Sequence, residues 1–337
     1  MVYALGLAIE SMASSPGMLA AGAGVVIGAA LSATTFATIY GGLARIVAAP
    51  RRGLAQGLAG GIGGLIQFLL VPAAQAGISR LGWAQTLQVL AVVALACAWV
   101  GRVVDDRAAA PVSPAPSPAS ASAHTQRGAP APTASAGAAV AAAMRHSGFW
   151  LLNLGFISCG FQLAFLGVHL PAYLRDAGLG TAAGVNAIAL IALANAAGTF
   201  VCGRLGDLYR RKYLLAGLYL LRTLAMVAFV ALPLTATSLY LFALVMGATW
   251  LGTVPLTSGV VEQIFGVRYI GTLFGLVFLG HQLGGFLGAW LGGLVYDTTG
   301  SNAWMWGIAI GLGALSVLLN LPIRDQSIEG RLEAAPA

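Results

Sequence analysis

Ser158, Gln162, His169 and Tyr173 fall at i, i+4, i+11 and i+15 of one long apolar run, and Phe165 continues their line. On an α-helix these spacings form a single stripe. A hydroxyl, an amide, an imidazole and a phenol on one face of an apolar helix can hydrogen-bond a polar solute or a neighbouring helix. Trp250, Thr253 and Thr257 make a second stripe on a later run, and Thr35 stands at the matching place of an earlier one. Such threonines can meet a solute or bond back to their own helix. His281 and Gln282 lie in a run whose Gly284, Gly285, Gly288, Gly292 and Gly293 permit close helix approach. Its ordinary pKa, near neutrality, makes His281 a candidate proton carrier, with a structural hydrogen bonder as the alternative. Arg222 is the one full charge in the middle of a run; no aspartate or glutamate holds such a position, and Glu10 lies near the end of its own run. Cys97, Cys159 and Cys202 stand apart, without metal-ligand or disulfide spacing. No nucleophile–base grouping, metal set or phosphate-cradling loop emerges, so the expectation is no enzyme, no metal and no cofactor.

The elements that carry these residues must be membrane spans. Of 337 residues, 58% are hydrophobic and 8% charged, and the mean hydropathy is +0.86. A soluble domain is about one quarter charged. The polar surface is too small for water, and lipid is the expected solvent. Spans of about 20 apolar residues are read at 17–41, 53–77, 82–102, 147–174, 182–202, 213–232, 237–261, 269–296 and 302–322, after a short stub at 2–14. The stub lacks the basic flank of a secretory signal. Residues 103–145, rich in Ala, Pro and Ser, are expected to form a disordered linker.

The net charge of +7 does not point to nucleic acid, because the basic residues fall in the gaps between spans. Alternating the gaps puts Arg45, Arg51, Arg52, Arg102, Arg107, Arg127, Arg145, Arg204, Arg210, Arg211, Lys212, Arg268, Arg324 and Arg331 on one side. Only Arg80 and Arg175 fall on the other. The richer side is expected to be cytoplasmic, with both termini on it.

The chain also repeats itself. "RRGLAQGL" at 51–58 resembles "YIGTLFGL" at 269–276; Gly53 and Gly57 pair with Gly271 and Gly275 at an offset of 218, which also pairs Thr35 with Thr253. The charged stretch "GRLGDLYRRKYLLAG" at 203–217 has no counterpart at that offset. By this arithmetic about 70 residues of a symmetric repeat would precede Met1, if the two halves of the repeat match in length. The expectation is a chain truncated before its third helix, a non-transporting remnant or the product of a misassigned start.

Two helical halves, a long linker and the Gly-x-x-x-Asp loop at Gly203 and Asp207 resemble the major facilitator superfamily. Arg211 and Lys212 fit the basic end of that family's loop, while Leu208 and Arg210 depart from it. The stretches "GVHLPAYLRDAGL", "GTVPLTSG" and "GHQLGGFLGAWLGGLVYD" look like the bacterial branch near monocarboxylate and oxalate–formate transporters. The resemblance implies an all-α membrane fold of two halves, here about ten of twelve helices. It divides the chain into an incomplete N-terminal half at 1–102, the linker, a six-helix half at 146–323 and a cytoplasmic tail at 324–337. It implies alternating-access transport of a small organic solute, a monocarboxylate among them, with a proton as the coupling ion, in a bacterial-type inner membrane.

The resemblance also implies a cytoplasmic gate of Gly203, Arg204, Asp207, Arg211, Lys212 and Glu262. In it Asp207 meets a helix start near Tyr269–Gly271, and Arg204 or Arg211 reaches Glu262. Ser158, Gln162, Phe165, His169, Tyr173, Thr35, Trp250, Thr253, Thr257, His281 and Gln282 are the substrate-contact candidates. Arg222, on a helix peripheral in the family, is expected to snorkel or bind helix carbonyls.

Overall fold

The computed structural model describes residues 1–103 and 135–330. Arg107, Arg127, Arg331 and most of the expected linker lie outside the described residues. Among those described there are helices and turns but no strand. In chain order the helices are α1 Val2–Ser11, α2 Pro16–Ala20, a π-helical turn Ala21–Ile27, α3 Gly28–Ala33, α4 Phe36–Ile46, α5 Arg52–Leu81 and α6 Trp83–Val103. There follow α7 Ala136–Arg145, α8 Ser147–Asp176, α9 Gly180–Leu208, α10 Arg211–Ala231, α11 Ala236–Thr249, α12 Thr253–Phe265, α13 Ile270–Thr299 and α14 Ala303–Asn320. Among the described residues eight helical stretches are long and apolar enough to cross a membrane, with α2 to α4 and α11–α12 each counted as one. The ninth expected span, 82–102, is α6, whose apolar part Trp83–Trp99 is shorter.

Local chemistry sets several boundaries. Ser15 caps α2 by accepting from the Met18 N–H, with Pro16 at the first helical position. Thr235 and Ser238 form a reciprocal capping box at the start of α11. The chain leaves α12 and α13 through Gly266 and Gly300, at φ of 79° and 66°, where other residues are disfavoured. The expected disordered linker is corrected over 136–145. Its alanines favour helix, and Ser135 caps the first turn of α7.

Compactness divides the chain differently from the repeat. One unit comprises Met1–Ile39 and Pro72–Pro130, the other Tyr40–Val71 and Ala131–Ala337. The first is built on α1 and α6, whose Ala4, Leu7 and Ala91 are buried together and covered by Ile27, Leu87 and Leu90. In the second, α8 packs along α13 through glycines: a Cβ on Gly160, Gly284 or Gly288 would strike the backbone of the opposite helix. α5 meets α9 the same way, through Gly53, Gly57, Gly61 and Gly64. Close backbone approach over small residues is how helices associate without a hydrophobic drive between them.

Two spans are interrupted. Thr34 and Thr35 separate α3 from α4, and Trp250 to Gly252 separate α11 from α12. The offset of 218 carries Thr35, beside the first break, onto Thr253, which opens α12 after the second. Pro255 contributes to the second break, because it has no N–H to offer the Leu251 carbonyl. The Val254 N–H, 3.0 Å away, takes that acceptor instead.

Candidate functional site

The α5–α9 contact ends in a charged contact at the start of α5. Gly203 and Gly57 let the two backbones close at one end of the bundle, and there Asp207 lies over the first turn of α5. Its Oδ1 accepts from the Gly53 N–H and its Oδ2 from the Leu54 N–H, both at 2.9 Å. These amides have no partner within their own helix, and the helix dipole adds positive potential at that place. One residue earlier, Arg52 Nη1 donates to Glu262 Oε1 at 2.6 Å, with side chains 17% and 11% exposed, and so ties α5 to α12. Deeper along the same contact, the Tyr40 hydroxyl donates to the Gln56 carbonyl at 3.1 Å, and Gln56 Nε2 donates to Ser258 Oγ at 3.3 Å.

The residues expected to form a gate therefore meet other partners than expected. Asp207 caps α5, not the helix that starts near Tyr269–Gly271. Glu262 holds Arg52, while Arg204 is exposed and Arg211 donates to the Gly259 carbonyl at 3.0 Å. Lys212 turns the other way: its Nζ donates to the Ile323 carbonyl at 2.7 Å and lies 3.7 Å from Asp325. Arg210 donates to the same carboxylate at 2.8 Å, and Gln263 Nε2 donates to the Asp325 carbonyl at 3.0 Å. Burial pushes the Asp325 carboxyl up, but the Arg210 hydrogen bond, a backbone hydrogen bond and the Lys212 and Arg210 charges outweigh it and leave the group below its ordinary value. The first residues of the expected tail are thus held against the charged cluster.

Within the second unit, Arg222 organises the polar interior. It is fully buried, and among the described residues no carboxylate lies within ion-pair distance of it. Its Nη1 donates to Cys159 Sγ and Gln162 Oε1, both at 3.3 Å. Its Nη2 donates to the Thr249 carbonyl and, at 3.1 Å, to the Trp250 carbonyl. These are the carbonyls freed by the α11–α12 break, so Arg222 binds carbonyls of a neighbouring helix. From the other side, Asn195 Oδ1 accepts from the Leu251 N–H at 3.0 Å.

The first polar stripe is largely consumed by packing. Gln162 also donates to the Ala309 carbonyl of α14 at 2.8 Å. Phe165 and Tyr173 pack against Trp306 with ring centroids 5.3 and 5.7 Å apart, and His169 Nε2 meets the Ala289 carbonyl at 2.9 Å. Thr253 Oγ1 lies 3.3 Å from Cys159 Sγ. Trp250 contributes its carbonyl to Arg222, and Gln282 is exposed, with Oε1 3.2 Å from His281 Nδ1. Thr35, half-buried in the other unit, accepts from the Thr38 and Ile39 N–H groups as α4 begins. Three candidates keep uncommitted polar atoms in buried positions: Ser158 Oγ, Thr257 Oγ1 and His281 Nε2. The sequence reasoning missed Arg52, Asn195, Gln56 and Asp325. Asn195 shares its apolar run with Asn186, so residue type alone does not single it out; Arg52 is one of many basic residues near a span end.

A family model described as "Major Facilitator Superfamily" matches residues 1–289 and 186–336. The chain is 28% identical over 184 residues to the uncharacterized MFS-type transporter YcxA of Bacillus subtilis, an alignment covering 52% of this chain and 44% of that protein. It thus spans less than half the length of that relative. Over 326 residues it is 29% identical to monocarboxylate transporter 13 of Bos taurus, covering 95% of this chain and 71% of that one. A crystal structure of the E. coli fucose:proton symporter FucP shares the fold with a TM-score of 0.62 at 16% identity, covering 95% of this chain and 80% of that chain.

Proposed function

Because the chain belongs to the Major Facilitator Superfamily, we propose that it is a secondary transporter that moves a small organic carboxylate by alternating access. The observation that carries this reading is the two-point grip of Asp207 on the first turn of α5. It joins the end of one span to the start of another by charge-assisted hydrogen bonds, at the end of a contact otherwise made by small residues. Those bonds can part without disturbing either helix. In this reading the latch is the cytoplasmic gate of a bacterial-type inner membrane, built by Gly203, Asp207, Arg52 and Glu262. Arg204, Arg211 and Lys212 are its basic surround, and both termini lie on that side.

The solute class is supported by charge. Arg222 is a fully buried cation with no carboxylate among the described residues within ion-pair distance, and its field favours an anion. Ser158, Thr257 and His281 supply the uncommitted polar atoms for it, and His281 is the candidate proton carrier. A relative named as a monocarboxylate transporter points the same way.

The test is counterflow and uptake of radiolabelled formate, acetate, lactate and pyruvate by the full-length protein, purified from its native membrane and sealed into proteoliposomes. Saturable uptake of one of these acids, faster with an inward proton gradient, is the expected result. Absence of uptake of all four by folded protein, in either gradient direction, overturns the carboxylate reading.

A further inference from the structure

We propose that Asn195 is a positioning residue that couples the α5–α9 contact to the α11–α12 break, so that opening the latch frees the broken helix to bend. The inference rests on the alternating-access reading above and adds to it the place where the motion is passed on.

The break is held from two sides of unequal character. On one side Arg222 binds the Thr249 and Trp250 carbonyls while its other nitrogen is fixed on Cys159 and Gln162 of α8. None of these hydrogen bonds reaches α5. On the other side stands Asn195, fully buried on α9. Its Oδ1 serves both the Leu251 N–H at 3.0 Å and the Thr199 hydroxyl at 2.9 Å. Its Nδ2 is buried without any acceptor and faces α5: a Cβ added to Gly64 would stand 2.9 Å from it.

One amide therefore faces the broken helix with its oxygen and the α5 contact with its nitrogen. A buried donor without an acceptor is unfavourable, and stays so only while α5 excludes water from it. When α5 parts from α9, the packing at Gly64 that holds the amide in place is lost and the amide is free to rotate. Rotation withdraws Oδ1 from Leu251. The break then loses its Asn195 support and keeps its Arg222 support, which makes a hinge with one fixed and one releasable side.

The experiment is peptide-resolved amide hydrogen exchange on the full-length protein in lipid nanodiscs, read at Leu251, with no solute needed. Asp207→Asn weakens the latch without touching α11 or α12. Gly64→Ala pushes from α5 on Asn195 and on the α9 backbone at Ala196, each 2.9 Å from the added Cβ. Gly63→Ala, where an added Cβ meets nothing within 4 Å, is the control. The coupling predicts at least tenfold faster exchange at Leu251 in Asp207→Asn and Gly64→Ala. It predicts less than twofold change in Gly63→Ala and in peptides of α10 and α14 throughout.

Leu251 exchange that stays within twofold of wild type in both test variants overturns the inference, and Asn195 is then a local cap. Acceleration spread over α10 and α14 overturns it as well, since the bundle has then loosened as a whole. These outcomes are separate from solute flux. Flux with an unresponsive Leu251 removes the coupling alone, and a responsive Leu251 without flux of any tested acid removes the carboxylate reading alone.

Discussion

Replacing Asp207 by Asn tests the latch most directly. The wild-type carboxylate accepts two N–H donors at 2.9 Å from the first turn of α5. The amide keeps one acceptor oxygen, turns the other acceptor into a donor facing an N–H, and removes the charge that the helix start favours. A hydrogen bond to a charged group contributes about 1.5–3 kcal/mol, against about 1 kcal/mol for a neutral one, and a charge at a helix terminus adds about 0.3–1 kcal/mol. Partial hydration at the rim lowers the sum, and a loss of about 2 kcal/mol is a fair working figure. At about 1.4 kcal/mol per factor of ten, that shifts the closed–open equilibrium about thirtyfold toward open. The assay is alkylation by a soluble maleimide of Ser258→Cys, introduced where Ser258 is buried against Gln56, with labelling followed on its own peptide by mass spectrometry. If labelling requires opening, its rate rises about thirtyfold in Asp207→Asn and further in Asp207→Ala, which lacks both acceptors. A rise below threefold in both variants would refute the latch, because Asp207 would then contribute no more than a surface contact.

Three further outcomes follow from the same geometry. Gly57→Ala places a Cβ 2.8 Å from the Thr199 carbonyl and 3.1 Å from Gly203 Cα, both backbone. It should therefore weaken the closed state by about 1–3 kcal/mol, read as faster Ser258→Cys labelling, whereas Gly63→Ala on the same helix should leave that rate alone. His146, edge-on to Phe265 at 5.6 Å, is held below its ordinary pKa by burial and then by the Arg324 charge. A lowered folded pKa stabilises above the unfolded value of about 6.5 and loses that contribution as pH falls through it. The melting temperature in detergent should thus decline from pH 7.5 to 5.5, and His146→Gln should flatten the decline. Asp325, also held below its ordinary value, loses its contribution only well below pH 5 and does not confuse that window. Finally, Ser158→Ala and Thr257→Val should raise KM for the transported acid about tenfold, with Vmax within threefold; unchanged KM in both would remove these hydroxyls from the solute path.

Spans, polar stripes and the Gly-x-x-x-Asp loop were legible because each is a one-dimensional pattern with a short period. Partners were not, because a period fixes a face without saying what the face meets. Gln162 belongs to a real stripe, yet its amide is used up between α10 and α14. Asp207 was expected at a helix start, and it lies at one. The repeat, however, offers two starts with a glycine in the first turn, Gly53 and Gly271. What selects Gly53 is the row of small residues that lets α5 lie on α9, a property of two helices together. Residues 136–145 were lost to composition: an alanine-rich segment beside Pro and Ser reads as linker, while alanine is also the strongest helix former.

The two helix breaks explain why Arg222 stays buried without an acidic partner. A break within a span leaves carbonyls and amides that lipid cannot satisfy, so it survives only where protein groups meet them. At the first break the chain meets them locally: the Thr35 carbonyl accepts from the Thr38 and Ile39 N–H groups, and the Thr34 hydroxyl donates to the Ala30 carbonyl at 3.3 Å. At the second, Thr249 and Trp250 present carbonyls to one guanidinium, and Leu251 presents its N–H to one amide. The repeat offset relates the positions, but the solutions differ. The first unit uses backbone bonds and the Thr34 hydroxyl; the second brings side chains from α9 and α10. The second installs a permanent positive charge beside the broken helix. Arg222→Gln should separate these duties: it keeps a donor for one carbonyl while removing the charge. If the charge serves only the break, acid uptake by Arg222→Gln falls in step with thermal stability. If it also attracts the solute, KM rises at least tenfold in preparations whose melting temperature has been restored by lipid. An unchanged KM under that condition would assign Arg222 to the break alone.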